Sequence, residues 1–187
     1  MIEVGAVLRG QADAWRKARA EQSRVDFAFA HPYLFLVRTS GSRLAVAGFS
    51  TDALQVNFHT VIQPQRAPTA RPSMDALATP DLPSDELLVF PLRKAPGNPF
   101  PERISLGRAP NCDVSIRDGS ISKVHGHFRD VTADSAVFVD GKSANGTRID
   151  GSLIDAGTPC AITNQSRITF GRIRLDVLTA GQLYDIL

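Results

Sequence analysis

From Glu86 onward the chain alternates apolar and polar residues at a period of two. Ile104 and Leu106 alternate with Arg103 and Ser105, and Val114 and Ile116 with Asp113 and Ser115. Ile168 and Phe170 alternate with Arg167 and Thr169, and Ile173, Leu175 and Val177 with Arg172, Arg174 and Asp176. Two runs, Leu87 to Phe90 and Ala136 to Val139, are apolar throughout and read as strands buried on both sides. Asp118-Gly119, Asp140-Gly141, Asn145-Gly146 and Asp150-Gly151 punctuate these segments as turns. Short half-buried strands separated by turn dipeptides predict a mainly β architecture, an antiparallel β-sandwich over about residues 86–178. The runs 147–149 and 152–154 flank a two-residue Asp-Gly turn, which predicts a hairpin. From Thr179 the pattern changes again, predicting a short C-terminal helix over 179–187 with Thr179 as its cap and Leu183, Ile186 and Leu187 facing the sandwich.

The first part of the chain reads differently. Ala12, Trp15, Ala18 and Gln22 recur at spacings of three and four, predicting a helix from about Gln11 to Ser23, with Arg16, Lys17 and Arg19 on a solvated face. Phe27, Phe29, Tyr33, Phe35 and Val37 predict one or two strands broken at His31-Pro32. Further strands are expected at 44–47 and 54–62. Residues 1–63 thus read as a small α+β extension, either a marginal subdomain of its own or one docked on the sandwich. Pro64, Pro68, Pro72, Pro80 and Pro83 mark residues 64–85 as an extended linker.

Charge and composition narrow the function. The 187 residues carry 21 basic and 19 acidic side chains, a net charge of +2. That balance gives no footprint for nonspecific nucleic-acid binding. The most apolar window, near Tyr33 to Val37, is far shorter than the roughly 20 residues that span a bilayer, so no membrane association is expected. Two cysteines, Cys112 and Cys160, make neither a disulfide framework nor a zinc pattern. A cytoplasmic protein with no cofactor and no metal is expected, and the Ala- and Arg-rich N-terminus suggests a bacterial one.

Candidate chemistry gathers at strand ends and turns: Gly107-Arg108, Ser122-Lys123-Val124-His125 and Asn145-Gly146-Thr147. Polar loop groups above a rigid sandwich form a binding edge. Taken with Ile104-Ser105-Leu106, Cys112-Asp113-Val114 and Ile168-Thr169-Phe170-Gly171, these motifs resemble the signature of the forkhead-associated (FHA) family over about residues 86–178. The resemblance implies non-catalytic recognition of a phosphothreonine-containing protein, either a Ser/Thr kinase or its substrate. Such a phosphate carries about −1.5 to −2 charges and three strong acceptor oxygens, which a planar guanidinium suits. By resemblance, Arg108 contacts the phosphate, Ser122 donates its hydroxyl to another oxygen, and Lys123 adds its backbone N–H and nearby charge. Asn145 pairs with the peptide backbone. Gly107 lets the chain bend at the strand end and aim Arg108, Gly146 permits the turn that presents Asn145, and His125 and Thr147 support the loops. Ala144 replaces the hydroxyl or longer polar side chain common in related domains, so any contact from there comes from its backbone. Ser120 stands where a basic residue sometimes assists, and Asp150-Gly151 where Asn-Gly is frequent.

Two other functions compete. A phosphate-independent scaffold would use the sandwich face and the N-terminal extension for constitutive contacts. A hydrolase would use Ser122 and His125, but no nucleophile-elbow pattern surrounds the serine. His125 and His127 have the spacing of a metal pair without a third ligand nearby.

Overall fold

The computed structural model describes residues 12–38 and 87–187. The strands expected at 44–47 and 54–62 and the linker at 64–85 lie outside the described residues. Eleven strands are described, in two sheets. They are β1 (Phe35–Arg38), β2 (Leu88–Pro91), β3 (Ile104–Gly107), β4 (Val114–Ser115), β5 (Gly126–Arg129), β6 (Ser135–Asp140), β7 (Thr147–Ile149), β8 (Ser152–Leu153), β9 (Pro159–Thr163), β10 (Arg167–Phe170) and β11 (Ile173–Leu178). One sheet runs β2-β1-β11-β10-β7-β8 and the other β4-β3-β5-β6-β9. The sandwich expected from the alternation is present. One pairing departs from the antiparallel rule: β3 and β4 run parallel, with Leu106 opposite Val114. Only two residues of β4 take part, so no long crossover is needed.

Between the sheets lies a core that includes Leu36, Phe90, Leu106, Phe128, Phe138, Phe170 and Leu175. β10 and β11 alternate because only their inner face is covered, and Arg167, Arg172 and Arg174 lie exposed. β1 and β2 are buried on both faces, which explains why Phe35-Leu36-Val37 and Leu88-Val89-Phe90 are continuous apolar runs. Leu36 and Phe90 point into the inter-sheet core. Phe35, Val37 and Val89 point the other way, into a second core beneath three helices.

Those helices are α1 (Asp13–Glu21), α2 (Arg24–Ala30) and α3 (Ala180–Ile186). On α1 the expected face is the buried one, through Ala12, Trp15 and Ala18, and Arg16, Lys17 and Arg19 are exposed. α3 starts at Thr179, whose side chain accepts from Gln182 N–H while the Gln182 side chain accepts from Thr179 N–H, a complete capping box. The strand expected around Phe27 and Phe29 is instead α2. Ser23 caps it by accepting from Asp26 N–H, and the two phenylalanines diverge: Phe27 is buried and Phe29 is 88% exposed. Two positions apart on a helix point to different sides. Arg24 of α2 donates twice to Asp185 of α3, at 2.9 and 3.0 Å. The described part of residues 1–63 is therefore docked on the sandwich, with β1 hydrogen-bonded between β2 and β11. No helix among the described residues is long and apolar enough to cross a membrane.

Candidate functional site

Three loops meet at one end of the sandwich: 108–113 after β3, 117–125 before β5, and 141–146 between β6 and β7. Backbone bonds join the first two, Arg108 N–H donating to Ser122 O at 3.0 Å and Ala109 N–H to Lys123 O at 3.1 Å. Ser122 also ties to the third loop, its hydroxyl oxygen accepting from Ala144 N–H at 3.0 Å. Asn145 Nδ2 donates to Ser120 O at 2.8 Å. Arg108, Ser122 and Asn145, far apart along the chain, are thus brought to one rim. Lys123 is exposed there, and its carbonyl also accepts from Cys112 Sγ.

The glycines at the rim act through space and conformation. A Cβ on Gly107 would stand 2.2 Å from Lys123 O. Gly107 is therefore required for close approach of the two loops, a reason different from the bend expected at the strand end. Gly146 has φ of +71°, the left-handed conformation its turn needs. The hairpin at 147–153 forms as expected, with φ of 51° at Asp150 and 86° at Gly151.

Beneath the rim runs a buried polar chain. Ser122 N–H donates to His125 Nδ1 at 3.2 Å, so that nitrogen is unprotonated. His125 Nε2 then donates to Thr147 Oγ1 at 3.1 Å, and Thr147 donates to Asp140 Oδ2 at 2.6 Å. Asp140 also accepts from the N–H and hydroxyl of Ser143, both at 2.8 Å. His125 and Thr147 thus lie beneath the rim, bonded to each other and to its loops. Burial holds His125 below the ordinary imidazole range against the pull of Asp140, and its two hydrogen bonds set the tautomer. Ser122 and His125 are not a nucleophile and base: the imidazole binds the serine's backbone N–H, and its other nitrogen is committed to Thr147. Nor do His125 and His127 share an environment. His125 packs edge-on against Phe170, while His127 lies across from Ser105 and Val139 on the sheet.

A second carboxylate holds the neighbouring loop. Asp118 is 1% exposed and accepts from Ser120 N–H and hydroxyl at 2.8 and 2.6 Å. The Arg172 guanidinium, from the β10–β11 turn, donates to it through Nε and Nη2 at 2.8–3.1 Å. Burial would raise Asp118, but Arg172 and Ser120 outweigh it and hold the carboxyl below the usual range. Asp140 is likewise lowered, burial being overcome by Thr147 and Ser143. Ser120, read from the sequence as a missing donor, is a junction: its hydroxyl oxygen accepts from Arg172 N–H and its carbonyl from Asn145. Asp118, Asp140 and Arg172 were not singled out in the sequence. The aspartates stand in Asp-Gly turn dipeptides, and nothing local distinguishes a buried carboxylate from a solvated one.

Residues 104–171 match the family model described as the FHA domain. No curated protein sequence matches the chain. Similar solved structures include the FHA domain of CT664 from Chlamydia trachomatis, with 19% identity and TM-score 0.41, covering 50% of this chain and 86% of that one. The N-terminal FHA domain of Rad53p from S. cerevisiae, solved with a phosphothreonine peptide, has 19% identity and TM-score 0.38, covering 46% and 74%. Slr1951 from Synechocystis has 18% identity and TM-score 0.40, covering 50% and 85%. Residues 104–171 thus match the FHA domain family's model, with the family's motifs in order and the loops that carry them meeting at one rim.

Proposed function

We propose that the rim binds a phosphothreonine-bearing segment of a partner protein and catalyses nothing. The observation that carries this reading is the convergence of the Arg108, Ser122 and Asn145 loops, tied to one another by hydrogen bonds. A guanidinium supplies the charge-assisted donors a phosphate dianion needs. Ala144 N–H occupies an acceptor site on the Ser122 oxygen, which directs the hydroxyl proton elsewhere, to a phosphate oxygen. Lys123 adds positive charge at the same edge. Asn145 spends one amide hydrogen on Ser120 O; its other N–H and its carbonyl oxygen pair with the peptide backbone beside the phosphothreonine. The partner is a product of Ser/Thr kinase action, the kinase itself or its substrate.

The test is a titration with a phosphothreonine peptide library and its unphosphorylated twin, repeated with Arg108→Ala. Binding should depend on the phosphate, weaken as salt rises, and vanish in Arg108→Ala. The alternative, a phosphate-independent contact, is favoured by Val25 and Phe29, which stand exposed on α2. Equal binding of both libraries would support that alternative and end the phosphothreonine reading.

A further inference from the structure

A cavity of about 630 Å³ opens on the outer face of the β4-β3-β5-β6-β9 sheet, under the loop 95–100. Its lining includes Pro99, Phe100, Arg103, Cys112, Val124 and His127. The loop that walls it is firmly held. Asp113, its side chain fully buried, accepts from Ala95 N–H at 2.8 Å, Asn98 Nδ2 at 2.7 Å and Lys94 Nζ at 3.0 Å. The same carboxylate accepts from Ser105 N–H and hydroxyl at 2.7 and 2.8 Å. The wall is therefore tied to β3 before any ligand arrives, which lowers the ordering cost of binding.

Two features say what the cavity takes. Phe100 and Val124, both lining it, are 58% and 61% exposed, so large apolar side chains stand in water at the rim of a concavity. Its charge is of one sign: Arg103 and His127 line it, with no carboxylate among the described lining residues. Burial first, then Arg103 and Arg129, hold His127 below the ordinary imidazole range. The positive charge at that end is thus carried by Arg103 in the lining and by Arg129 outside it, both exposed, with Arg129 also 3.6 Å from Asp130.

Its position relates it to the rim. Val124 is two residues past Ser122, and Pro110, also in the lining, is two past Arg108. Arg103 immediately precedes β3 and Arg108 immediately follows it, roughly 16 Å apart at about 3.3 Å per residue, or about five residues of extended peptide. We propose that this groove is a second recognition site for the same partner segment. It takes a large apolar side chain against Phe100 and Val124 and an acidic side chain against Arg103 and Arg129, roughly three to six residues from the phosphothreonine. The inference rests on the phosphothreonine reading of the rim.

The experiment uses the full chain and a phosphothreonine peptide library randomised over six positions on each side. Apolar and acidic residues should be enriched together at the distant positions on one side. A peptide carrying both should bind on the order of tenfold tighter than one trimmed to the phosphothreonine and its nearest neighbours. Phe100→Ala and Arg103→Glu, both at exposed positions, should each lose that gain while binding the trimmed phosphopeptide as wild type does. Enrichment confined to the nearest neighbours, or a gain that survives both substitutions, overturns the groove and leaves the rim reading standing. Absence of phosphate-dependent binding to either peptide overturns both.

Discussion

Beneath the helices, Trp15, Phe27 and Phe35 are fully buried, with Trp15 edge-on to the other two at 6.3 and 5.1 Å. Beneath the rim, the fully or nearly buried groups are Asp118, His125, Asp140 and Thr147; His125, Thr147 and Asp140 are bonded in a row and Asp118 is bonded to Ser120 and Arg172. Both regions press irregular chain onto the same sandwich, but with opposite chemistry. Ring packing is nondirectional: it adds stability and tolerates small shifts. A buried polar chain adds less net stability but penalises any geometry other than its own, because each unmet donor or acceptor is costly. The helix layer therefore anchors, and the rim is shaped.

The difference is open to test. Phe27→Ala removes a ring from the centre of the helix layer and should cost about 3–5 kcal/mol of unfolding free energy. Phosphopeptide affinity of the folded fraction should stay at the wild-type level. Loss of affinity beyond the unfolded fraction would show that the two regions are not separable. Thr147→Val keeps the shape of the side chain but leaves His125 Nε2–H and Asp140 without their shared hydroxyl. It should cost about 1–3 kcal/mol and, unlike Phe27→Ala, weaken phosphopeptide binding in protein that is still folded. An unchanged affinity, measured by calorimetry on the variant, would mean that the chain beneath the rim does not shape it.

The smallest effect concerns pH. His125 at the rim, His31 in the helix layer and His127 are all lowered from the ordinary imidazole value of 6.5, with burial as the first cause. A group lowered in the folded state takes up protons more readily when unfolded, so its contribution is complete above the unfolded value and is lost as pH falls through the folded one. The urea midpoint should therefore decline between about pH 7 and pH 5. The depressed carboxyls Asp118 and Asp140 add a second decline, below their unfolded value of 3.8, that among the described residues comes from the rim. A midpoint that holds steady or rises on acidification to pH 5 would contradict the burial of these rings.

The strands after Leu87 were legible because a sheet with one face covered writes its period of two directly into the sequence. α3 was legible because Thr179 stands as a cap ahead of Leu183, Ile186 and Leu187; the capping box that Gln182 completes emerged only in the structure. Phe27 and Phe29 misled for a physical reason. Their spacing suits one face of a strand, and only the Ser23 cap and the exposure of Phe29 reveal a helix. The rim residues Arg108, Ser122 and Asn145 were found through their motifs, but the groups that position them were not. Asp118 and Asp140 look like turn residues because their burial is a property of the assembled loops. Pairing was also illegible: nothing local in Phe35 to Val37 states that its neighbours are 88–91 and 173–178.

That pairing bears on how the protein is made and cut. β1 lies between β2 and β11, two strands that come much later in the sequence than β1 itself. The contacts that join these three strands are therefore distant in sequence, and such contacts slow folding. A fragment trimmed to residues 104–171 would retain every rim loop yet lack β1, β2 and β11 together, leaving β10 stripped of a neighbour and Phe170 and Ile168 under an opened roof.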